Sequence, residues 1–557
     1  MNKLIIYQIF TRLFCNSQNN PVPHGSIDKN GCGKLNNFTD SVLETIREMG
    51  TTHIWFTGII AHASCTDYSR YGIPSVNKNT VKGIAGSPYA ITDYYDIDPD
   101  LAVNVRQRMK EFTNLVDRVH SNYMKMIIDF VPNHVARQYK SLKHPKKITD
   151  LGQNDDTSKS FDPQNNFYYI PGKSLSGHIN WNDYLEYPAK VTGNDRFDAS
   201  PSLFDWYDTI KLNYGVDYEQ GRTTHFSPIP DTWYKMLDIL LFWAKKGIDG
   251  FRCDMAEMVP VEFWHWAIGK IKKKHPNIIF IAEIYNPGSY SSYLNHGYFD
   301  YIYDKIGLYD TLRAVTLGHE SATSITRCWQ NNGDNGEHML HFMENHDEQR
   351  IASDFFAISA EKGKAAMIVS ATKDRCPIMI YAGQELGERG MDTEGFSGLD
   401  GRTSIFDYWA VDTLSRWYTD GQLQDTKLTD TEKKLKDFYY LLLHICKYDT
   451  AISQGKFFDL MYVNPSSPVF SAHKQYAYLR KSEDSLLLIV ANFDDKAQQS
   501  TINIPNHAFE YMQITPCERI EALELLLGKI QTVDLYPNCN IRVTVPANGG
   551  IILKFLT

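Results

Sequence analysis

Short apolar runs alternate with amphipathic stretches over the first three quarters of the chain. In the first amphipathic stretch Val42, Leu43, Ile46 and Met49 share one helical face, and Gly50 stands where a helix C-terminal cap belongs. Apolar runs of strand length that alternate with helical periodicity are typical of βα units on a parallel sheet. Eight such runs predict a closed (β/α)8 barrel, the TIM-barrel architecture. The predicted strands are residues 4–10, 53–57, 126–130, 248–253, 278–283, 299–303, 339–343 and 377–381.

Two stretches depart from this alternation. The first lies between the third strand and the helix before the fourth, and it is rich in Asn, Asp, Gly, Tyr and Pro. A structureless loop of that length is rare in a compact domain, so we predict an inserted domain over one end of the barrel. The second begins near residue 450, where short alternating runs predict a C-terminal antiparallel β-sandwich. The predicted organisation is barrel at 1–134 and 231–450, inserted B domain at 135–230, and sandwich at 451–557.

Composition narrows the class of partner. The 557 residues are 43% hydrophobic and 22% charged, which is typical of a folded globular protein, and the formal net charge is -9. Nucleic acids and anionic membranes bind positive surfaces, so we expect neither as a partner. The nine cysteines are dispersed without metal-ligand spacing, which predicts reduced thiols. Because the start of the chain lacks the apolar core of a signal peptide, we expect a cytoplasmic location.

The residues that follow the predicted strands are rich in charge. Strand three continues into Asp-Phe-Val-Pro-Asn-His at 129–134, and strand four ends in Gly-Phe-Arg-Cys-Asp at 250–254. Strand five ends in Ile-Ala-Glu at 281–283, and strand seven continues into Phe-Met-Glu-Asn-His-Asp at 342–347. The carboxyl ends of barrel strands meet at one mouth, where the active sites of such barrels lie. Each piece alone has an ordinary structural explanation, but four in order on one scaffold predict a site.

Paired carboxyls on neighbouring strands suit glycosyl transfer. One carboxylate attacks the anomeric carbon while the other protonates the leaving oxygen, and a retaining enzyme holds the two about 5 to 5.5 Å apart. We expect burial and like charge to keep Glu283 protonated. Arg252, two residues before Asp254 and therefore on the same face of the strand, is expected to hold that carboxylate ionised.

Together the four strand ends resemble the conserved regions of the α-amylase family of glycoside hydrolases, and the resemblance covers essentially the whole chain. It implies a (β/α)8 barrel with an inserted B domain and a C-terminal β-sandwich. It also implies that Asp254 is the nucleophile, that Glu283 is the general acid/base, and that Asp347 binds sugar hydroxyls and stabilises the transition state.

The same resemblance implies which residues line the subsite of the attacked glucose. These are Arg252, His134 and His346. The stretch Ser-Pro-Tyr-Ala-Ile-Thr-Asp-Tyr at 87–94 resembles the family's loop after strand two, which implies that Tyr89 stacks on that glucose. A role for Tyr89 as a loop anchor is the alternative.

The chemistry requires no cofactor, and a structural calcium ion is the one metal that the resemblance introduces. Asn133 matches a usual ligand position, but a complete oxygen cage cannot be assembled from the sequence. The loop at 28–34 resembles a calcium loop of some relatives, with Lys34 where its last carboxylate would be. We therefore predict no calcium in that loop, and an ordinary glycine-rich turn is equally consistent with it.

The sequence predicts a retaining hydrolase that acts on α-1,4-glucosidic bonds in glucans or maltooligosaccharides. The alternative is an α-glucan transglycosylase or an α-glucosidase acting on short oligosaccharides. Either would form the same covalent glycosyl–enzyme intermediate as a retaining hydrolase. A non-catalytic barrel that binds its ligand is a further alternative, disfavoured because all three carboxylates are present. A phosphate-binding barrel enzyme is disfavoured because no glycine-rich phosphate loop follows strands seven or eight.

Overall fold

The computed structural model describes residues 3–177 and 179–556, and its centre is a closed barrel of eight parallel strands. Each strand pairs with the next in chain order, and the last pairs with the first. The predicted strands are confirmed, with ends within two residues of those observed. They are β1 (Ile5–Phe10), β2 (His53–Thr57), β3 (Lys125–Phe130), β4 (Gly250–Cys253), β5 (Ile279–Ala282), β6 (Tyr301–Tyr303), β7 (Met339–Phe342) and β8 (Ile378–Tyr381).

Helices cover the outside of the barrel. The first begins after Thr39, whose side chain accepts a hydrogen bond from the backbone N–H of Val42 and so caps the helix. It is followed by Gly50 at φ 102°, a left-handed conformation that glycine adopts without strain. The helices are α1 (Asp40–Glu48), α2 (Arg108–Ser121), α3 (Asp231–Lys245), α4 (Val261–Lys274), α5 (Asp310–Thr316), α6 (Ser324–Asn332), α7 (Lys364–Thr372) and α8 (Asp430–Tyr448).

Side chains inside the barrel change from apolar to polar along the strands. One cluster fills the interior, and it includes Ile6, Trp55, Ile127, Ile281, Leu340 and Met379. Alternate residues of a strand face the same side, so the next inward positions come two residues later. Those positions include Gln8, Thr57, Asp129 and Glu283. The carboxyl end of the barrel is therefore lined with groups that can bind and react.

The inserted segment leaves directly from the end of β3 and returns to α3. It contains three short antiparallel pairs, which are His134–Ala136 with Thr209–Lys211, Tyr169–Ile170 with Ala189–Lys190, and Val216–Asp217 with Thr223–Thr224. The first pair extends from the carboxyl end of β3, so the insertion stands over the mouth of the barrel. This confirms the predicted inserted domain.

The last hundred residues form the predicted β-sandwich. A six-stranded antiparallel sheet has the order β9-β10-β11-β16-β13-β14, and a second sheet pairs β12 with β15. Burial alternates strictly along β15, as expected for a strand with one face on a core. The strands are β9 (Lys456–Asp459), β10 (Gln475–Lys481), β11 (Leu486–Asn492), β12 (Gln498–Ile504), β13 (Cys517–Glu524), β14 (Lys529–Leu535), β15 (Cys539–Val545) and β16 (Gly549–Phe555).

Helix α7 joins the barrel to the sandwich. It packs on β7 on one side and on β11 and β16 on the other, and every residue after Lys364 is buried. The guanidinium of Arg480, on β10, donates to the carbonyl oxygens of Ala451, Ile452 and Lys373 at 2.9 to 3.1 Å. The two parts of the molecule therefore share one continuous core.

Within the described ranges, no helix is both long enough and apolar enough to cross a membrane.

Candidate active site

A cavity of about 600 Å³ opens at the carboxyl end of the barrel, between the strand ends and the inserted segment. Asp254, Glu283 and Asp347 line it, together with Tyr89 and His134. The other two predicted site residues contact these lining groups: Arg252 lies beneath the first two carboxyls, and His346 lies beside Tyr89. The fold thus brings all seven predicted site residues together.

One arginine joins the two central carboxyls. The register of β4 and β5 pairs Cys253 with Ala282, so the residues that follow, Asp254 and Glu283, occupy adjacent positions. Arg252 Nη1 lies 2.7 Å from Asp254 Oδ1, and its Nη2 lies 2.8 Å from Glu283 Oε1. The side chain of Arg252 is fully buried. The expected contact with Asp254 is present, and Arg252 pairs with Glu283 as well.

The same guanidinium contacts two further barrel residues. Its Nη1 is 3.3 Å from Asp129 Oδ1, and its Nε donates to the Tyr303 hydroxyl at 3.1 Å. Trp55 Nε1 donates to the other oxygen of Asp129 at 3.0 Å. Burial raises the pKa of Asp129 to about 7, although the positive charge of Arg252 opposes the rise. The charge of Arg252 is therefore distributed over several acidic partners.

Both oxygens of Glu283 accept hydrogen bonds from nearby loops. The Tyr285 hydroxyl donates to Oε1 at 2.7 Å, and the backbone N–H of Met255 donates to Oε2 at 2.8 Å. Met255 has φ 44°, a left-handed conformation that costs a non-glycine residue roughly 1 to 3 kcal/mol. This strained turn directs its N–H at Glu283. Burial raises the pKa of Glu283 and also that of Asp254, while Arg252 opposes both shifts.

The remaining polar groups surround a neutral imidazole. Gln8 Nε2 donates to His346 Nδ1 at 2.8 Å, so the ring proton lies on Nε2, which faces the Tyr89 hydroxyl. Asp347 Oδ2 is 3.2 Å from the same nitrogen. Burial lowers the pKa of His346 well below its usual value, while burial and then the charge of Glu283 raise that of Asp347. A neutral ring beside a carboxyl offers both donors and acceptors to sugar hydroxyls.

His134 is also neutral at ordinary pH. Burial lowers its pKa to about 3, and its ring lies 5.1 Å from that of Trp206. Trp206 belongs to the inserted segment, so the insertion covers this side of the site.

The sequence reasoning missed the aromatic wall of the cavity. Phe204, Trp206 and Tyr207 come from the inserted segment, and Phe396 and Phe406 from the loop after β8. The Phe204 side chain is 99% exposed. Residues 203–207 include three aromatic side chains, but the segment has another aromatic run at 167–169, so the sequence alone does not single out this wall.

The donor atoms around Asn133 do not fit a calcium ion. Asn133 Oδ1 accepts a hydrogen bond from Lys211 Nζ at 2.7 Å, and the same ammonium lies 2.6 Å from Asp195 Oδ1. Calcium requires six to eight oxygen ligands at 2.3 to 2.6 Å. In the loop at 28–34, Asn30 Oδ1 accepts from the backbone N–H of Val22, and Lys34 donates to the Asp100 carbonyl oxygen.

Among the residues that the structure describes, two other groups place metal-ligand atoms close together. They are His341, Asp374 and Cys376 behind the barrel wall, and His24, Glu394 and Asp407 between loops near the cavity. In both groups the carboxylates already have protein partners. Asp374 contacts Lys373 and His341. Glu394 and Asp407 each accept a hydrogen bond from a backbone N–H group.

A parallel barrel with two carboxyls at the ends of neighbouring strands is an arrangement that glycoside hydrolysis can use. The chain belongs to the α-amylase family, because the family model described as "Alpha amylase, catalytic domain" matches residues 8–436.

Individual relatives agree with this assignment over the full length. "Alpha-amylase 3" of Dictyoglomus thermophilum is 24% identical over 552 residues, which cover 95% of this chain and 92% of that protein. The crystal structure of a noncanonic maltogenic alpha-amylase, AmyB from Thermotoga neapolitana, has 20% identity and a TM-score of 0.62, covering 100% of this chain and 99% of that one. CldA, a cyclomaltodextrin glucanotransferase, has 16% identity and a TM-score of 0.65 with both chains covered completely. The structural matches show a shared fold.

Proposed function

We propose that the protein hydrolyses α-1,4-glucosidic bonds in α-glucans or maltooligosaccharides and retains the anomeric configuration. Asp254 is the nucleophile, Glu283 is the general acid/base, and Asp347 is the third carboxylate. The observation that carries this proposal is the fully buried Arg252, which binds Asp254 and Glu283 at adjacent strand ends on the cavity floor.

In the first step Asp254 attacks the anomeric carbon and the bond to the leaving oxygen breaks. Glu283 gives its proton to that oxygen, and a covalent glycosyl intermediate forms on Asp254. Arg252 favours the ionised form of the nucleophile through its contact at 2.7 Å. Burial raises the pKa of both carboxyls and Arg252 opposes both shifts, but the negative charge of Asp254 raises the pKa of Glu283 further, which favours the protonated form that the acid needs.

In the second step water replaces the enzyme at the anomeric carbon. Glu283, now ionised, takes a proton from the water, and the bond between the sugar and Asp254 breaks. Because each step inverts the configuration at the anomeric carbon, the two steps together retain it. Asp347 and the neutral rings of His134 and His346 bind sugar hydroxyls during both steps, and Tyr89 stacks on the attacked ring.

The walls of the cavity support a neutral sugar polymer as the substrate. Aromatic side chains bind the apolar faces of sugar rings while their polar tips remain free for hydrogen bonds. The cavity offers such surfaces from both the barrel loops and the insertion, and the net charge of -9 disfavours a phosphorylated polymer. The name of the full-length relative in Dictyoglomus thermophilum is consistent with this substrate class.

Transfer to a sugar acceptor is the second candidate function. Phe204 is almost completely exposed at the rim of the cavity, where it could stack an incoming glucose as readily as a leaving one. An acceptor held there would compete with water for the covalent intermediate.

The test follows the anomeric protons of the products by NMR during cleavage of maltoheptaose. The wild type is expected to release the α-anomer first, and Asp254→Asn to lose activity by about 10³-fold or more. Asp238→Asn, on α3 away from the cavity, serves as the control. First release of the β-anomer would mean inversion and overturn the mechanism, and the absence of any product would overturn the substrate class. Products longer than the substrate would favour transfer.

The predicted domain boundaries and cellular location belong to the same proposal. Barrel residues 1–134 and 231–450 flank an insertion at 135–230, in line with the strand that begins at His134 and the helix that begins at Asp231. The cytoplasmic location is supported by nine cysteines that are all free thiols. Limited proteolysis and cell fractionation test these two points.

A further inference from the structure

A buried ammonium lies where the inserted segment meets the barrel. Lys211 is 2% exposed and ends a short strand whose register pairs it with His134, four residues after the end of β3. Its Nζ contacts Asn133 Oδ1 at 2.7 Å and Asp195 Oδ1 at 2.6 Å, and it lies 5.2 Å from the centre of the Tyr218 ring. An amide oxygen, a carboxylate and an aromatic face together form a complete environment for one positive charge.

The contacts of Asn133 continue toward the cavity. Its Nδ2 donates to the carbonyl oxygen of Gly193 at 2.8 Å and lies 3.2 Å from His134 Nδ1. The amide oxygen of Asn133 thus accepts a hydrogen bond from Lys211. The amide nitrogen contacts both the Gly193 carbonyl oxygen of the insertion and the His134 ring. With Nδ1 next to a donor, the proton of the neutral imidazole lies on Nε2. Lys211 therefore fixes the amide that orients the cavity histidine.

This position leaves no room for a metal ion. A calcium ion within coordination distance of both Asn133 Oδ1 and Asp195 would overlap the ammonium, and its double positive charge would repel Lys211. Asp195 supplies one negative charge, and Lys211 balances it.

We propose that the Lys211 ammonium replaces a structural calcium ion at this junction, attaching the insertion to β3 and positioning His134. The replacement of the metal does not depend on the proposed function. The positioning of His134 for catalysis does rest on the proposed function. Lys211 is a positioning residue, since it acts on the cavity through Asn133.

The first experiment compares the full-length protein, purified without chelator, before and after dialysis against EDTA. Metal analysis is expected to find no stoichiometric calcium before dialysis, and neither EDTA nor millimolar CaCl2 is expected to change the Tm. About one bound calcium per chain, lost to EDTA with a fall in Tm, would overturn the proposal. Neither readout involves catalysis, so this result stands even if the substrate class proves wrong.

The second experiment compares two variants with a matched control. Lys211→Met removes the charge, and Asp195→Asn, at a partly exposed position, is the milder change that keeps the test available if the first variant does not fold. Lys173→Met, an exposed lysine of the same insertion, is the control. Both variants are expected to lose several degrees of Tm. At a temperature well below their Tm, their kcat is expected to fall about tenfold with little change in KM.

The measurement of kcat distinguishes a role of Lys211 in positioning His134 from a role in stability alone. A purely structural role would lower the Tm but leave kcat at low temperature unchanged, and that outcome would overturn the positioning of His134. Variants whose Tm matches that of Lys173→Met would overturn the whole proposal.

Discussion

The hydroxyl of Tyr285 is one of the groups that adjust the protonation of Glu283. It donates to Glu283 Oε1 at 2.7 Å, and a hydrogen bond donated to a carboxylate favours the ionised form and lowers its pKa. Burial acts in the opposite direction. The tyrosine therefore offsets part of the rise in pKa that burial imposes on the proposed acid.

Tyr285→Phe is expected to shift the alkaline limb of the pH profile of kcat/KM to higher pH. Without the donated hydrogen bond the pKa of Glu283 rises, so the acid keeps its proton to a higher pH. The measurement is kcat/KM on a maltooligosaccharide across the pH range. Tyr290→Phe, in the same loop, removes a hydroxyl with no hydrogen-bond partner among the described residues and should leave the profile unchanged. A limb that moves to lower pH would contradict this role.

The sequence predicted the residues at strand ends, and Tyr89 in a loop through the family resemblance, but it did not predict Tyr285 or Lys211. Asp254, Glu283 and Arg252 follow from strand register, because the position of a residue in a parallel strand fixes the side and the end at which it emerges. Tyr285 and Lys211 contact the site through turns and an insertion whose conformations depend on distant packing. No periodic pattern marks such residues.

At the scale of elements, residues 203–207 of the insertion determine the outer part of the cavity. Leu203 and Phe204 are largely exposed and line its rim, while Trp206 packs against His134 deeper inside. The barrel thus supplies the proposed reacting groups, and the insertion supplies aromatic surfaces of the outer cavity. The sequence predicted that an insertion exists, but its irregular backbone gave no indication of which face it presents.

Phe204→Ala is expected to raise KM for maltoheptaose about three- to tenfold, the effect of losing one aromatic stacking contact. The kcat should change little, because the residue is remote from Asp254 and binds ground state and transition state alike. Steady-state kinetics test this, with Leu185→Ala as the control, an 89% exposed residue of the same insertion that does not line the cavity. An unchanged KM would argue against a sugar contact at Phe204.

At the scale of the whole molecule, the barrel and the sandwich share one core, so we expect them to unfold together. The buried helix α7 lies between them, and Arg480 satisfies three carbonyl oxygens that belong to both. The sequence predicted the sandwich from its alternating strands. It gave no sign of this shared core, because a buried arginine and an exposed one look alike in a sequence.

Arg480→Met is expected to lower the free energy of unfolding by roughly 2 to 5 kcal/mol, since it leaves buried carbonyl oxygens without donors. Thermal or denaturant unfolding gives the value, and the transition should remain single. Lys481→Met, on the neighbouring and partly exposed position of β10, should cost far less. Equal losses in the two variants would show that Arg480 does not join the two parts.

The closure of the barrel between its first and last strands has a consequence for biosynthesis. Strand β1 leaves the ribosome early but cannot pair with β8 until translation has passed Tyr381, and α7 remains uncovered until β16 has emerged near the end of the chain. At typical rates of elongation this last interval is on the order of ten to thirty seconds. During that time the barrel strands can already pair, but the nascent chain exposes the apolar face of α7, which is the kind of surface that chaperones bind.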